Sequence, residues 1–484
     1  MNDKENIRLT ISLFIAGILL AIILYLVNNL IKPNPGSYNS VQIPTTSPTI
    51  IYNLSTLNNE LFSYGERNIL TDSPRSSDID NGIEAFRTGK YSESVQLFNN
   101  ALKDNPNLPD IQIYLNNAKA RLAKESFTLA VVVPAINASD LAREILRGVA
   151  DVQAKFNEQG GLNNRLLKIV IANDGDNENQ ARQVAKKLAS SPEILGVIGH
   201  NNGKNTLAGL PEYEKFNLAV MTPSSAGSKL RNQEYHVFFR ATYSDKILAK
   251  KLANYININL NLNRVAVFVN QKDTTSLSFK ESFQEQFQGN VSPVFDFNNF
   301  DANTVNTIIQ DLVNKQIKAA LLFPDIGYVN KAKLLARANS ALPESSKLQL
   351  FGGTIFNRSK TLVEDGEDLK DLIIVVPWFA EVDKSKAFAK EAETRWKNII
   401  TFRTAFSFDA AKAFIQALSK SSQFNKPNPS RQAILQQMKS TNLSETETSG
   451  EALTFKDGER ISGEPVLIKV VGNKESKYYF ELVK

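Results

Sequence analysis

Leu129-Ala130-Val131-Val132-Val133 is a short, unbroken apolar run. A strand with one wet face alternates apolar and polar residues. An unbroken run of this length reads instead as a strand covered on both faces, as in a parallel sheet. From Ser139 to Gln159 the residues Leu141, Ile145, Val149, Val152 and Phe156 recur at helical spacing, and Gly160-Gly161 ends the helix. The alternation continues with strand Leu167–Ala172, helix Glu178–Ser190, strand Leu195–Ile198, helix Asn205–Phe216 and strand Leu218–Met221. Strands and helices in this order build a doubly wound half-domain.

A second half repeats the style. Helices are expected at Ser244–Ile258, Ser276–Gln288, Ala302–Lys315 and Val329–Ser340, and strands at Val265–Val269, Val291–Phe295, Ala319–Phe323, Gln349–Gly352 and Leu372–Val376. Helices Ser385–Trp396 and Phe406–Ser419 follow, then a terminal β segment, Val466–Val471 and Tyr478–Val483. Two doubly wound sheets in one run predict two lobes with a cleft between their strand C-termini, where ligands bind. The expected fold class is α/β: two doubly wound lobes with a hinge, preceded by a transmembrane helix and a short α-helical repeat segment.

At 484 residues the chain is too long for one ordinary domain. Its formal net charge is +6, from 56 Lys+Arg against 50 Asp+Glu. The excess is spread along the chain and does not argue for nucleic acid. Cysteine is absent, which removes disulfides, thiolate metal sites, a Cys nucleophile and a lipid-attachment Cys. Histidine occurs only at His200 and His236, and neither sits in a zinc signature. No phosphate-binding loop is present, and no cofactor is expected. Ser225 and Gly227 stand as in a nucleophile elbow, but Pro223 replaces its first glycine and no supporting His is in place, so no catalytic residue is assigned.

Leu9–Ile31 is uncharged, rich in Leu and Ile, and long enough to cross a bilayer. A cleavable signal peptide would be shorter, roughly 7–15 apolar residues, and end in small residues. Asn28-Asn29-Leu30-Ile31-Lys32-Pro33 supplies none. The reading is an uncleaved anchor, with residues 1–8 as a cytoplasmic tail and the bulk of the chain on the extracytoplasmic, periplasmic side. Residues 32–78, rich in Pro, Ser, Thr and Asn, read as an extended tether with one short helix near Leu57–Leu70. Over residues 79–125, Gly82, Gly89, Tyr91, Phe98, Ala101 and Pro106 fall at the offsets of a tetratricopeptide repeat, and a further helix spans Asp110–Lys124. One repeat is fewer than a solenoid needs. The segment either packs on or spaces the next domain, or docks a protein partner.

Residues 126–484 resemble the type I periplasmic binding proteins of the branched-chain amino-acid and amide uptake class. The resemblance is carried by Gly148, Asn157-x-x-Gly160-Gly161, Val170-Ile171-Ala172-Asn173-Asp174, Val197-Ile198-Gly199-His200 and Met221-Thr222-Pro223-Ser224-Ser225. It continues through Phe406-Ser407-Phe408-Asp409-Ala410 and Leu453-Thr454-Phe455-Lys456-Asp457-Gly458-Glu459-Arg460. It implies two lobes joined by three crossovers. Lobe one would be about 126–243 and 378–455, and lobe two about 244–377 and 456–484.

The same resemblance implies the site. A ligand carboxylate would meet two loops of lobe one, Gly199–Thr206 and Thr222–Ser228, at helix starts. Ser224, Ser225 and Ala226 would offer backbone N–H groups and Ser225 a hydroxyl. Gly203 stands where the family has a carboxylate-bonding Ser, beside Asn202; His200 follows a buried strand and is either a strand-end residue with both ring nitrogens satisfied or a residue lining the cleft. Lys204 either adds charge or points into solvent. Asn, Thr and Ser in both loops would equally serve as helix caps. The family's ammonium-binding carboxylate maps near Thr354, and its closing aromatic near Thr274, so this chain departs from both. Asp325, Tyr328, Asp273 and Trp378 are the substitutes within reach.

The expected function is capture of a small polar ligand, an amino acid or amide, by cleft closure, for an ABC permease or a signalling partner. The alternative is a non-catalytic adaptor of an envelope complex, working through residues 79–125 with a vestigial cleft.

Overall fold

The computed structural model describes residues 60–123, 125–231, 235–422, 429–472 and 477–483. The chain divides into Met1–Asn53 and Leu54–Lys484, and every described residue belongs to the second unit. The expected span 9–31 and the tether up to residue 59 lie outside the described residues. Among the described ones, no helix is long and apolar enough to cross a membrane.

Two sheets are present. In spatial order the first runs β1 (Phe62–Ser63), β3 (Leu166–Asn173), β2 (Ser126–Val133), β4 (Ile194–Ile198), β5 (Val220–Thr222), β6 (Phe238–Arg240), β14 (Glu459–Arg460), β13 (Leu453–Lys456) and β12 (Asn442–Leu443). The strands from β3 to β6 pair in parallel, and Leu129–Val133 at their centre is wholly buried. The second sheet runs β16 (Tyr478–Leu482), β15 (Val466–Gly472), β11 (Ile373–Val376), β10 (Gln349–Gly352), β9 (Ala319–Phe323), β7 (Arg264–Val269) and β8 (Asn290–Asp296). It is parallel from β11 to β8 and closes with antiparallel β15 and β16. Each sheet is one lobe.

The chain passes between lobes after β6, after β11 and after β14. The third passage corrects the expected boundary at residue 456. β13 and β14 form a hairpin whose second strand pairs with β6, so lobe one keeps the chain through Arg460. The Arg460 guanidinium, buried in lobe one, holds the carbonyls of Ala241, Glu451 and Ala452. Three further elements of lobe one were not expected from the sequence: β6, β12 and the helix Arg431–Lys439.

Residues 77–122 form three helices, α1 (Ser77–Arg87), α2 (Tyr91–Asp104) and α3 (Pro109–Leu122). They are the side wall of lobe one. Their buried residues, Phe86, Phe98, Ile111, Tyr114 and Leu115 among them, share one apolar core with the first sheet. Residues 60–70 are no helix and no tether: β1 pairs with β3, and Phe62, Tyr64, Ile69 and Leu70 are buried. The pairing reaches only Ala172 and Ile171. Beyond it the Asn117 side chain of α3 takes the place of a strand. Its Oδ1 accepts the Ile169 N–H at 2.8 Å, and its Nδ2 donates to the Ile169 and Tyr64 carbonyls, both at 2.7 Å. A sheet edge that would otherwise invite another chain is thereby covered.

The next helix, α4 (Ser139–Glu158), packs against the helix Phe402–Ser422. A Cβ at Gly148 would lie 2.2 Å from the Thr404 carbonyl oxygen and 2.3 Å from Ser407 Oγ, so only glycine lets the two helices approach this closely.

Replacing Asn117 by Leu keeps the volume and strands the Ile169 amide. We expect a loss of about 2–4 kcal/mol in urea unfolding of the Leu54–Lys484 unit, as for other buried polar groups deprived of partners. A change within about 0.5 kcal/mol of the parent would show that the edge is held by the apolar contacts alone.

Candidate functional site

Helix starts behind the lobe-one strand ends form one wall of a cleft between the lobes. After β4 the chain leads into the helix Gly203–Lys215. Asn202 caps it, with Oδ1 accepting the Asn205 N–H at 2.9 Å and its carbonyl accepting the Thr206 N–H at 3.1 Å. The N–H groups of Gly203 and Lys204 have no acceptor among the described residues, as first-turn donors do not. After β5, Thr222 Oγ1 accepts the Ser225 N–H at 2.9 Å and donates to the His200 carbonyl at 2.9 Å. Ser224 Oγ donates to the Asn201 carbonyl at 2.8 Å, and Ser225 Oγ is 2.7 Å from Thr206 Oγ1. Buried Arg240 draws the Ser225 and Gly227 carbonyls to itself at 3.1 and 3.0 Å. The Ala226 N–H is left without an acceptor among the described residues.

Lobe two supplies the facing wall. Asp273 caps the helix Thr274–Gln286, accepting the Ser276 N–H at 2.8 Å. Asp325 follows β9 and accepts Asn270 Nδ2 at 2.6 Å and the Gly327 N–H at 2.8 Å. Phe279, Phe323 and Ile326 give this side an apolar floor. Asp245, the first residue after the first crossover, lines the cleft with its Oδ2 buried and unpartnered, and Thr275 Oγ1 is in the same condition. The cleft holds a cavity of about 100 Å³, enough for several waters or one small solute.

The lobes touch directly around this space. Lys204 Nζ of lobe one lies 3.8 Å from Asp176 and 3.7 Å from Asp273 of lobe two. Ser228 meets Ser278 and Ser282 across the gap, each at 3.0 Å. Arg403, buried at the start of the helix Phe402–Ser422, donates to the Asn357 carbonyl at 3.0 Å and the Thr354 carbonyl at 3.4 Å. Its charge is met by Glu144 at 3.4 Å.

Negative charge exceeds positive here. Burial pushes the Asp176 carboxyl up to about 6, helped by Asp174, Asp273 and Asp325 and opposed by Lys204. Burial likewise pushes Asp245 up to about 6, opposed by a Ser278 hydrogen bond and Arg240. Asp273 is also raised, chiefly by burial. A cation placed among these carboxylates would relieve them, while the unpaired N–H groups at the Gly203 helix start suit an anion.

Of the residues expected from the sequence, Asn202, Gly203, Ser224, Ser225, Ala226, Asp325 and Thr354 line the cleft, as do Lys204 and Asp273. Two expectations are corrected. His200 is wholly buried behind the wall: Nδ1 is 2.7 Å from Asp174 Oδ2 and Nε2 is 3.1 Å from Tyr213 Oη, so both ring nitrogens are engaged. Thr274 points to solvent, because the helix begins there and turns Thr275 inward instead. Tyr328 bonds Asn298, and the Trp378 indole N–H is committed to the Ser449 carbonyl; neither lines the cleft. Sequence reasoning missed Arg403, Asp245 and Asp176. A charged residue beside an apolar run, as in Thr401-Phe402-Arg403, was the available signal for the first.

The raised Asp245 carboxyl implies a pH dependence. Its contribution to stability is fully present below the unfolded value near 3.8 and is lost as pH rises through about 6. Asp245→Asn should therefore gain on the parent by about 2 kcal/mol between about pH 4 and about pH 8 in urea unfolding. An equal difference at both ends would mean that Asp245 does not titrate in this window.

The comparisons agree with this architecture. Residues 137–470 match the family described as periplasmic binding protein. A curated relative, the amino acid binding protein of Pseudomonas aeruginosa, is 26% identical over 140 residues, which is 29% of this chain and 37% of the relative's length. Among solved structures, an ABC transporter substrate-binding protein of Desulfitobacterium hafniense in complex with Leu is 18% identical, with a TM-score of 0.61 over 74% of this chain and 100% of its own. A branched-chain amino acid transporter substrate-binding protein of Streptococcus pneumoniae in complex with isoleucine is 17% identical, with a TM-score of 0.61 and the same coverage. A solute-binding protein of Rhodopseudomonas palustris in complex with 3,4-dihydroxy benzoic acid is 14% identical, with a TM-score of 0.61 over 74% of this chain and 96% of its own. With its two lobes, its three crossovers and a match spanning well over half its length, this chain belongs to the periplasmic binding proteins, which bind solutes and are not enzymes.

Proposed function

We propose that this protein captures a small polar solute, an amino acid or amide-like molecule, by closing its two lobes on the extracytoplasmic side of the membrane. One observation carries the reading: the cleft sets unpaired N–H groups of lobe one opposite undercompensated carboxylates of lobe two. The solute carboxylate would meet the N–H groups of Gly203, Lys204 and Ala226. Its ammonium would lie towards Asp245, Asp273 and Asp325. Leaving either charge unpaired in a closed cleft would be costly, so a molecule bearing both is favoured over one bearing neither. Such a solute touches both walls only when the hinge is shut, and that differential contact drives closure. Residues 9–31 would hold the protein at the cytoplasmic membrane, where it would serve an ABC permease or a signalling partner. The solved relatives that hold leucine and isoleucine support the solute class.

The test is a thermal-shift series on the full-length chain with leucine, isoleucine, asparagine, glutamate, acetamide, urea and benzoate. A solute at 100 times its dissociation constant should add about 2.7 kcal/mol. Asp325→Asn and Ala226→Trp should each weaken the effective solute at least about tenfold, or about 1.4 kcal/mol. No response to any solute in the series would sink the proposal and leave the adaptor reading in its place.

A further inference from the structure

The polar contacts that cross between the lobes are not equal. Ser228 with Ser278 and Ser282 is a meeting of neutral groups, each able to bond water once the lobes part. Lys204 lies 3.7 Å from Asp273 of lobe two, but Asp176 of its own lobe is as near at 3.8 Å, so it keeps a carboxylate in either arrangement. Arg403 reaches lobe-two carbonyls from lobe one and has Glu144 of its own lobe beside it.

Arg358 is in a different position. It belongs to lobe two, between β10 and β11, and is only 6% exposed. Its Nη2 lies 2.6 Å from Oδ2 of Asp140, which stands in the first turn of α4 in lobe one. The contact is an ion pair and not an aligned hydrogen bond, and Arg358 Nε is buried without an acceptor among the described residues. Asp140 is the one ion-pair partner that Arg358 has among those residues, and it comes from the other lobe. Arg403 is close to both. Burial holds its guanidinium below the ordinary range; Glu144 and Asp140 oppose this, and Arg358 adds to it. Two guanidinium groups, one from each lobe, thus meet over carboxylates that lobe one supplies.

A buried cation without a counter-charge is strongly unfavourable, whereas a buried ion pair comes close to balancing its desolvation. Covering Arg358 between the lobes therefore requires Asp140, ionised and in place. Asp140 keeps 32% of its side chain exposed, so holding it ionised costs little. Its helical turn is itself anchored: Arg143 Nη2 donates to Asp72 Oδ1 at 2.6 Å, and Ser139 Oγ donates to Asp72 Oδ2. Neither Asp140 nor Arg358 lines the cleft, so neither is placed to touch a solute.

We propose that Asp140 is a charge gate on lobe closure: it allows the Arg358 guanidinium to be buried between the lobes, and so sets how much of the protein is closed before a solute arrives. Apparent affinity scales with the fraction of protein in the competent arrangement, so the gate changes the affinity for every solute by one common factor. The gate acts on the lobes alone and does not depend on which solute the cleft takes.

Because the chain has no cysteine, Asn179→Cys in lobe one and Asn330→Cys in lobe two, both exposed, give two unique attachment points for spin labels on the full-length chain. The distance between them, measured by pulsed electron resonance with no solute added, should show a short, closed component in the parent. Asp140→Asn, which removes the charge and keeps the size, should lower the ratio of closed to open protein at least about tenfold. Arg358→Met, which removes the buried cation and its unmet donor, should leave the closed component at least as large as in the parent. Added to Asp140→Asn, it should bring that component back. This rescue separates a gate from a role of Asp140 in starting its helix, which Arg358→Met would not repair. The proposal is overturned if the parent has no closed component, if Asp140→Asn leaves the ratio unchanged, if Arg358→Met opens the lobes, or if the double variant stays open. Silence of the cleft in a solute series would leave the gate standing, and loss of the gate would leave the solute reading standing.

Discussion

A guanidinium without access to solvent sits where the chain changes lobes. Arg460 Nη1 lies 3.2 Å from Asp409 Oδ2 and 2.9 Å from the Ala241 carbonyl, and both charged side chains are wholly buried. Asp409 also accepts the Ser449 N–H at 2.7 Å, and the Ser449 carbonyl accepts the Trp378 indole N–H at 2.9 Å. Ala241, Trp378 and Arg460 stand at the first, second and third crossovers. One cluster of hydrogen bonds therefore ties together all the points at which the lobes are joined. Burying an ion pair adds little net stability, because desolvation offsets attraction, but it tolerates few alternative geometries.

The same chemistry shapes the cleft. Arg240 gathers the carbonyls of the Ser224–Ser228 loop, and Arg403 reaches from lobe one to the Thr354 and Asn357 carbonyls of lobe two. A guanidinium presents a planar fork of donors that can hold several carbonyls at once, which a lysine cannot do with comparable geometry. Backbone carbonyls are thus occupied by arginines, and backbone N–H groups are what the first lobe has left for a solute. The opposite polarity comes mainly from lobe two, whose Asp245, Asp273 and Asp325 stand at helix starts and after a strand end, with Asp176 added by lobe one. The cleft is bipolar because the two lobes satisfy their backbones differently.

The helical segment before the first long strand shows how far local pattern can be read. Gly82, Tyr91 and Phe98 do mark a helix pair, and Ser94 Oγ donates to the Gly82 carbonyl at 3.0 Å within it. What the pattern could not say is that α3 would lend an asparagine to the edge of the first sheet, 52 residues further along the chain. For the same reason the stretch 60–76 looked like tether: Phe62 and Tyr64 are apolar residues without periodicity, and only the presence of β3 makes Phe62–Ser63 a strand.

Burial in long strands, amphipathic helices and side-chain caps are each decided within a few neighbouring residues. The parallel strands of both lobes, the helices between them, and Asn202, the Ser224–Ala226 loop and Asp325 as cleft residues were accordingly legible in the sequence. Whether a charged side chain faces a cleft or a core depends on partners far away. Arg460 meets Ala241 across 219 positions and Arg403 meets Glu144 across 259. His200 was assigned to the cleft because its strand leads there, and it was the placement of Asp174 and Tyr213 that turned it inward. The three-residue strand β6 and the lobe membership of β14 were hidden likewise, since short strands exist only through the strands they pair with. Periodicity and capping are properties of the chain, while the pairing of buried charge is a property of the folded body.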